Sequence, residues 1–197
     1  MISHNKRFLF THINKCGGTS VARVLMPFLE TPMTENVHHH AKSEMQSCKD
    51  HPQTYYKFTV VRNPWDRVVS NYFYNKNRKQ TGVYQQLNSI PFEGFIEQYC
   101  MPVPRNSREF PDLFFGQCYN WITDHEGSVL VDEVFKLENL DKEWYYLCHR
   151  LGVCAKLPHE NKSAHRDYRE YYTDETAEIV GELFQDDIEA FNYGFEG

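Results

Sequence analysis

The segment FTHINKCGGTS, residues 10–20, joins an apolar stretch to a helical pattern and sets the expected fold. Residues 7–13 (RFLFTHI) form a short, apolar and aromatic run, which is typical of a buried strand. Beyond the glycine pair, apolar residues recur on one helical face until Pro27, where proline should end or kink the helix. A strand, a glycine turn and a helix in this order predict the start of an α/β fold.

The turn between this strand and this helix has the composition of a phosphate-binding loop. Gly17 and Gly18 would leave backbone N–H groups unshielded at a helix N-terminus, where the helix dipole favours anions. Lys15 adds a positive charge, and Thr19 and Ser20 add hydroxyl groups. The loop differs from a Walker A loop, in which the lysine follows the last glycine instead of preceding the pair. An ordinary Gly-Gly turn is the alternative interpretation.

A second strand, residues 56–62 (YKFTVVR), runs into the clearest helical pattern of the chain, which Asn63 can cap. Arg62 stands at the carboxyl end of this strand, the edge at which open α/β sheets bind ligands. Ser70 shares a helix face with Asn63 and Arg67. An arginine and a hydroxyl at a helix start predict a second anion clamp. The alternative is that Arg62 and Arg67 pair with acidic side chains on the surface.

The later patterns extend the same architecture. Residues 129–137 suggest a further strand, and residues 92–99 and 140–151 suggest helices. Thr173 can cap a last helix, because acidic residues follow it in the first turn. We therefore expect an α/β fold with a central parallel sheet, in a single domain that spans residues 1–197.

The two clamp segments together resemble the sulfotransferases that use 3′-phosphoadenosine-5′-phosphosulfate (PAPS). The resemblance is to the family that contains the Golgi carbohydrate sulfotransferases and their smaller bacterial relatives. Residues 14–20 correspond to the family loop P-K-x-G-G-T-S, with Asn14 in the place of proline, and residues 62–70 correspond to R-N-P-W-D-R-x-x-S. The resemblance implies a P-loop NTPase-like three-layer fold with a central parallel sheet. It also implies a sulfuryl donor held by both segments.

The resemblance implies particular donor-binding residues in three parts of the chain. In the family the first loop holds the 5′-phosphosulfate, the second segment holds the 3′-phosphate, and a C-terminal loop closes over the donor. The corresponding residues are Lys15, Cys16, Gly17, Gly18, Thr19 and Ser20 in the first loop, Arg62 and Ser70 in the second segment, and Lys162, Ser163 and Arg166 in the last loop. A basic surface loop is the alternative interpretation of the C-terminal stretch.

Two catalytic residues are expected. Lys15 would stabilise charge on the oxygen that leaves when the sulfuryl group is transferred. His40 would act as the general base on the acceptor hydroxyl, since histidine titrates near neutral pH and since His40-Ala41 resembles a family His-Ala step. His38, His39 and Glu44 are the alternatives for this base.

Composition and charge restrict the partners. The chain has 27 acidic and 21 basic residues, a formal net charge of −6, which opposes nucleic-acid binding. No signal peptide or membrane span is expected, and the expected location is cytoplasmic. Six cysteines without CxxC spacing and three adjacent histidines, which cannot all face one ion, predict no metal site. The expected partners are the donor nucleotide and a hydroxyl acceptor, with a carbohydrate favoured by the resemblance, and the oligomeric state stays open.

Two other functions are compatible with these patterns. The first is a P-loop-like kinase or NTPase, which the position of Lys15 and the lack of a clear magnesium-binding aspartate at a strand end disfavour. The second is a catalytically idle nucleotide-binding module, which the presence of both clamps and a base disfavours.

Overall fold

A computed structural model describes residues 1–30, 38–76, 89–109, 112–158 and 165–197. The chain consists of two compact units. The first unit comprises Met1–Arg62 and Trp121–Lys162, and the second unit comprises Asn63–Asn120 and Ser163–Gly197. The predicted donor contacts Lys162 and Ser163 lie outside the described residues. The prediction of one domain over residues 1–197 stays a prediction.

The sheet lies in the first unit. Over the described ranges it has four strands in the order β1, β2, β3 and β4, and their bounds are Ile2–Ser3, Phe8–Thr11, Tyr56–Val61 and Glu133–Lys136. β2, β3 and β4 are parallel, and the short β1 is antiparallel to β2. The predicted α/β class with a mostly parallel sheet is therefore confirmed.

Helices alternate with the strands along the chain. In chain order the described α-helices are α1 Gly18–Leu25, α2 Ala41–Gln46, α3 Pro64–Lys76, α4 Phe92–Phe95, α5 Asp112–Phe115, α6 Tyr119–Ile122, α7 Leu140–Leu151, α8 Asp174–Leu183 and α9 Gln185–Phe191. α1 ends two residues before Pro27, in agreement with the predicted stop. α7 has the predicted bounds, and Thr173 caps α8 by accepting a hydrogen bond from the backbone N–H of Thr176 at 3.2 Å.

The core of the first unit forms where α1 and α7 cover the strands. Phe10 of β2 stacks on Phe58 of β3 with 5.0 Å between ring centroids, and both side chains are fully buried. Leu25 of α1 and Leu147 of α7 belong to the same cluster. Burial of these apolar side chains fixes the strand ends, and with them the loops at the carboxyl edge of the sheet.

The second unit is built around α3. Asn63 caps this helix as predicted, because its Oδ1 accepts a hydrogen bond from the backbone N–H of Trp65 at 3.1 Å. The predicted apolar face, which includes Val69, packs in a second cluster. Arg67 is only 1% exposed and donates to the carbonyl of Gly116 at 2.5 Å, so its interpretation as a surface ion pair is wrong.

The predicted strand 129–137 is shorter than expected. The backbone N–H of Leu130 donates to the carbonyl of Ile122 at 2.7 Å, and Val129 pairs with Thr123, so these residues turn back on the preceding segment. Pairing with β3 begins only at Glu133. Alternating apolar residues show that a stretch is extended but not which neighbour it pairs with.

Candidate functional site

The loop that follows β2 has an unusual backbone. Lys15 has a φ of 63° and Gly17 has a φ of 73°, both in the left-handed region. Left-handed residues close together in a turn direct their backbone N–H groups into a concave anion-binding surface. For a lysine this conformation is unfavourable by about 1–2 kcal/mol, so the surrounding structure must hold it. Contacts within the protein must therefore maintain the shape of this loop.

Close packing requires both glycines of the loop. A β-carbon at residue 17 would lie 2.4 Å from Cδ1 of Leu137, and one at residue 18 would lie 2.0 Å from Cδ2 of His12. Both separations are far below van der Waals contact. A side chain at residue 17 would displace the end of Leu137 and would need a φ of 73°, which favours glycine, and a side chain at residue 18 would displace the His12 ring.

The carboxyl end of β3 supports this loop. Because β2 and β3 are neighbouring parallel strands, the segments that leave them meet at one edge of the sheet. Arg62 follows β3 directly, and its Nη1 donates a hydrogen bond to the backbone carbonyl of Lys15 at 3.2 Å. Arg62 of the second predicted clamp is therefore in direct contact with Lys15 of the first clamp.

The side chains of the loop differ in exposure. The Cys16 side chain is fully buried and Ser20 is 7% exposed, whereas Lys15 and Thr19 are half-buried. A buried thiol cannot reach a ligand without movement of the loop, so Cys16 can contribute to anion binding mainly through its backbone N–H. Lys15 and Thr19 are the loop side chains with more access to solvent.

Two histidines near this loop have different ring tautomers. Nδ1 of His38 lies 2.9 Å from the carbonyl oxygen of His12, and because a carbonyl only accepts, Nδ1 carries a proton. The neutral His38 ring therefore has its lone pair on Nε2. Nδ1 of His40 instead accepts the backbone N–H of Lys42 at 3.1 Å and caps α2, which puts the proton of its neutral ring on Nε2.

His38 is also linked to the loop by packing. Its ring centroid lies 4.3 Å from that of His12, and the His12 ring contacts the backbone at Gly18. Glu44, another candidate base, is buried and contacts the amino group of Met1, and burial raises the pKa of its carboxyl group. His39 is exposed. Among the four candidates, His38 is thus packed against a ring that contacts the loop.

The remaining predicted residues that the structure describes, Ser70 and Arg166, belong to the second unit. Ser70 lies on α3 and is 2% exposed. Arg166 is exposed, pairs with Glu170 at 2.8 Å and lies over the ring of Tyr171. Its neighbour His165 packs on α3, with its ring stacked on Phe73 and Nε2 3.8 Å from Oδ1 of Asp66.

Two kinds of feature are absent from the described ranges. No group of three or more His, Cys, Asp or Glu side chains there has an arrangement suited to a metal ion. None of the helices in those ranges combines the length and the apolar character that a bilayer crossing needs.

Comparison with known proteins agrees with this architecture. The family model described as "Sulfotransferase family" matches residues 1–194. The crystal structure of mouse sulfotransferase SULT7A1 complexed with PAP has a similar fold, with a TM-score of 0.55 and 12% sequence identity over 95% of this chain and 85% of that chain. No curated protein sequence matches the chain.

The chain belongs to the sulfotransferase family. It is a sulfotransferase, an enzyme that transfers a sulfuryl group, and its fold is consistent with the P-loop NTPase-like architecture.

Proposed function

We propose that this enzyme transfers the sulfuryl group of PAPS to a hydroxyl group of a carbohydrate. The observation that carries the proposal is the loop after β2, where Lys15 precedes two glycines that packing requires and where Arg62 donates to the loop backbone. The carbohydrate acceptor rests on the resemblance of this loop and of residues 62–70 to the family with carbohydrate sulfotransferases.

The proposed donor contacts rest on charge and exposure in the first loop and on the family resemblance elsewhere. The loop would hold the 5′-phosphosulfate with the N–H groups of residues 16–20, with the hydroxyl of Thr19 and with the ammonium of Lys15. Arg62 and Ser70 would hold the 3′-phosphate, by resemblance to the family segment. In the C-terminal loop the proposed contacts are Lys162, Ser163 and Arg166.

The proposed chemistry needs little covalent participation by the protein. The acceptor oxygen attacks sulfur in line with the bridging oxygen of the donor, the S–O bond to that oxygen breaks, and adenosine 3′,5′-bisphosphate leaves. Lys15 stabilises the negative charge that develops on the leaving oxygen. A base takes the proton of the acceptor hydroxyl. We propose no metal in this reaction, since Lys15 and the α1 N-terminus supply the positive charge.

The base is proposed to be a histidine of the run that precedes α2. A proton that arrives at Nε2 of His38 leaves the hydrogen bond from Nδ1 to the His12 carbonyl intact. His40 would accept a proton only at Nδ1 and would lose the cap on α2. These tautomers favour His38 as the base. His40, the base predicted from the sequence, is the alternative, and mutants can distinguish between the two.

The acceptor class can be tested by incubating the purified protein with ³⁵S-labelled PAPS and a panel of acceptors. The panel should contain sulfate-free glycosaminoglycan oligosaccharides, a glycolipid, a tyrosine peptide and a simple phenol. We expect labelled oligosaccharide, with product formation at least about 10²-fold slower in Lys15→Met. Label on the peptide or the phenol alone would contradict the carbohydrate proposal while leaving the sulfuryl transfer intact.

A further inference from the structure

We propose that Arg62 is a positioning residue for the loop of residues 14–20, called here the phosphosulfate loop. This role is in addition to its proposed role as a ligand of the 3′-phosphate. The inference rests on the proposed function for the identity of the ligand, and its structural part is the contact between Arg62 and the backbone of Lys15. One side chain would then connect recognition of the nucleotide to the shape of the loop that holds the reacting group.

The contact joins two residues that are 47 positions apart in the chain. Arg62 Nη1 donates to the carbonyl of Lys15 at 3.2 Å, and Lys15 is a non-glycine residue with a φ of 63°. A left-handed lysine persists only where other interactions hold it. The Arg62 guanidinium contacts the peptide group that joins Lys15 to Cys16, which contains the Cys16 N–H and directly precedes the N–H of Gly17.

Arginine suits both roles at once. Its guanidinium carries five N–H donors in a rigid plane, so one donor can bind the loop carbonyl while others point to a phosphate. A lysine in this position would keep the charge but not the planar fork. Replacement by lysine therefore separates the effect of charge from the effect of the directed hydrogen bond.

A simple phosphate ligand and a positioning residue predict different behaviour. If Arg62 only binds the 3′-phosphate, its loss should leave the unliganded loop and the binding of AMP, which lacks that phosphate, unchanged. If it also positions the loop, both should change. Ser70, the other proposed 3′-phosphate ligand, is the matched control, because no positioning role for the loop is proposed for it.

The first readout is the alkylation rate of Cys16 in the unliganded protein. Its thiol is fully buried within the loop, whereas Cys148, 6% exposed on α7 in the same unit, is an internal control. Site-resolved mass spectrometry with iodoacetamide should show Cys16 reacting about tenfold faster in Arg62→Lys and Arg62→Ala, the scale of one lost hydrogen bond to a charged group. The rates of Cys148, and of Cys16 in Ser70→Ala, should stay at the wild-type value.

The second readout is calorimetric binding of adenosine 3′,5′-bisphosphate and of AMP. We expect Arg62→Lys to lower the affinity for AMP by about tenfold and Ser70→Ala to leave that affinity unchanged. Both variants should bind the bisphosphate more weakly than wild type. Unchanged Cys16 alkylation and unchanged AMP affinity in both Arg62 variants would overturn the positioning role. Failure of the wild-type protein to bind the bisphosphate would overturn the proposed donor site, and the alkylation result would still decide the inference about the loop.

Discussion

The ring of His12 occupies the space that a side chain at Gly18 would need: a β-carbon there would lie 2.0 Å from Cδ2 of the ring. His12 follows β2 directly, and Gly18 begins α1. The contact therefore brings the two ends of the loop together. The conformation of the proposed phosphosulfate loop therefore depends on the packing of the His12 ring as well as on the glycines.

Gly18→Ala should open the loop, because the new methyl group and the His12 ring cannot occupy the same space. We expect bisphosphate affinity to fall by tenfold or more and the free energy of unfolding to fall by about 1–3 kcal/mol, as for other overpacked sites. Calorimetry and urea unfolding measure the two effects. Gly194→Ala is the matched control, since nothing lies within 4 Å of a β-carbon there.

The double variant His12→Ala/Gly18→Ala tests the mechanism of that loss. Removal of the ring should restore part of the stability that Gly18→Ala removes. A double variant as unstable as the sum of the two single changes would show that the His12 contact is not the cause.

The choice of base can be decided by exchanging each histidine for an amide. His38→Gln should lower kcat by about 10²–10⁴-fold and remove the acidic limb of the pH–rate profile, with bisphosphate affinity unchanged. His40→Asn should keep turnover within a few-fold of wild type, because asparagine is also a good cap for α2. The reverse pattern would assign the base to His40, as the sequence alone predicted.

Asp187 gives the second unit a pH-dependent stability. This buried carboxylate accepts the backbone N–H groups of Cys118 and Tyr119 at 2.8 and 2.7 Å, and burial raises its pKa from 3.8 to about 6. Since the folded protein binds this proton more tightly than the unfolded chain, the contribution of Asp187 to stability is complete below about pH 4 and declines as the pH rises through about 6.

Asp187→Asn removes this titration and also turns an NH₂ group toward a backbone donor. The variant should be less stable than wild type, and the difference in unfolding free energy should be largest below pH 4 and shrink toward pH 7. Urea unfolding of both proteins at several pH values measures it. A difference that grows with pH would contradict the raised pKa.

The local features of the site could be predicted from the sequence because they depend on neighbouring residues. The glycine loop, the Asn63 cap and the bounds of α7 follow from short-range patterns. The contact of Arg62 with the Lys15 carbonyl could not be predicted from pattern alone, since it depends on the parallel pairing of β2 and β3. The sequence pattern placed His12 only in the predicted strand of residues 7–13, because its contact with Gly18 depends on packing.

The buried role of Arg67 shows the same limit. The helical period placed Arg67 on one face with Ser70. It did not predict that Arg67 donates a hydrogen bond to the carbonyl of Gly116. A pattern of charge along a helix does not reveal whether that face is covered by a distant segment of the chain.

We propose that Lys15 stabilises the leaving oxygen in a transfer that needs no metal. The most direct test is single-turnover transfer from ³⁵S-labelled PAPS in the presence of EDTA, with wild type compared with Lys15→Met. We predict one bisphosphate released per labelled product in wild type, and a rate at least about 10²-fold lower in the variant, because the charge acts mainly in the transition state. Bisphosphate affinity should fall much less than the rate. A Lys15→Met rate within a few-fold of wild type, or a wild-type rate that EDTA abolishes and Mg²⁺ restores, would contradict the account.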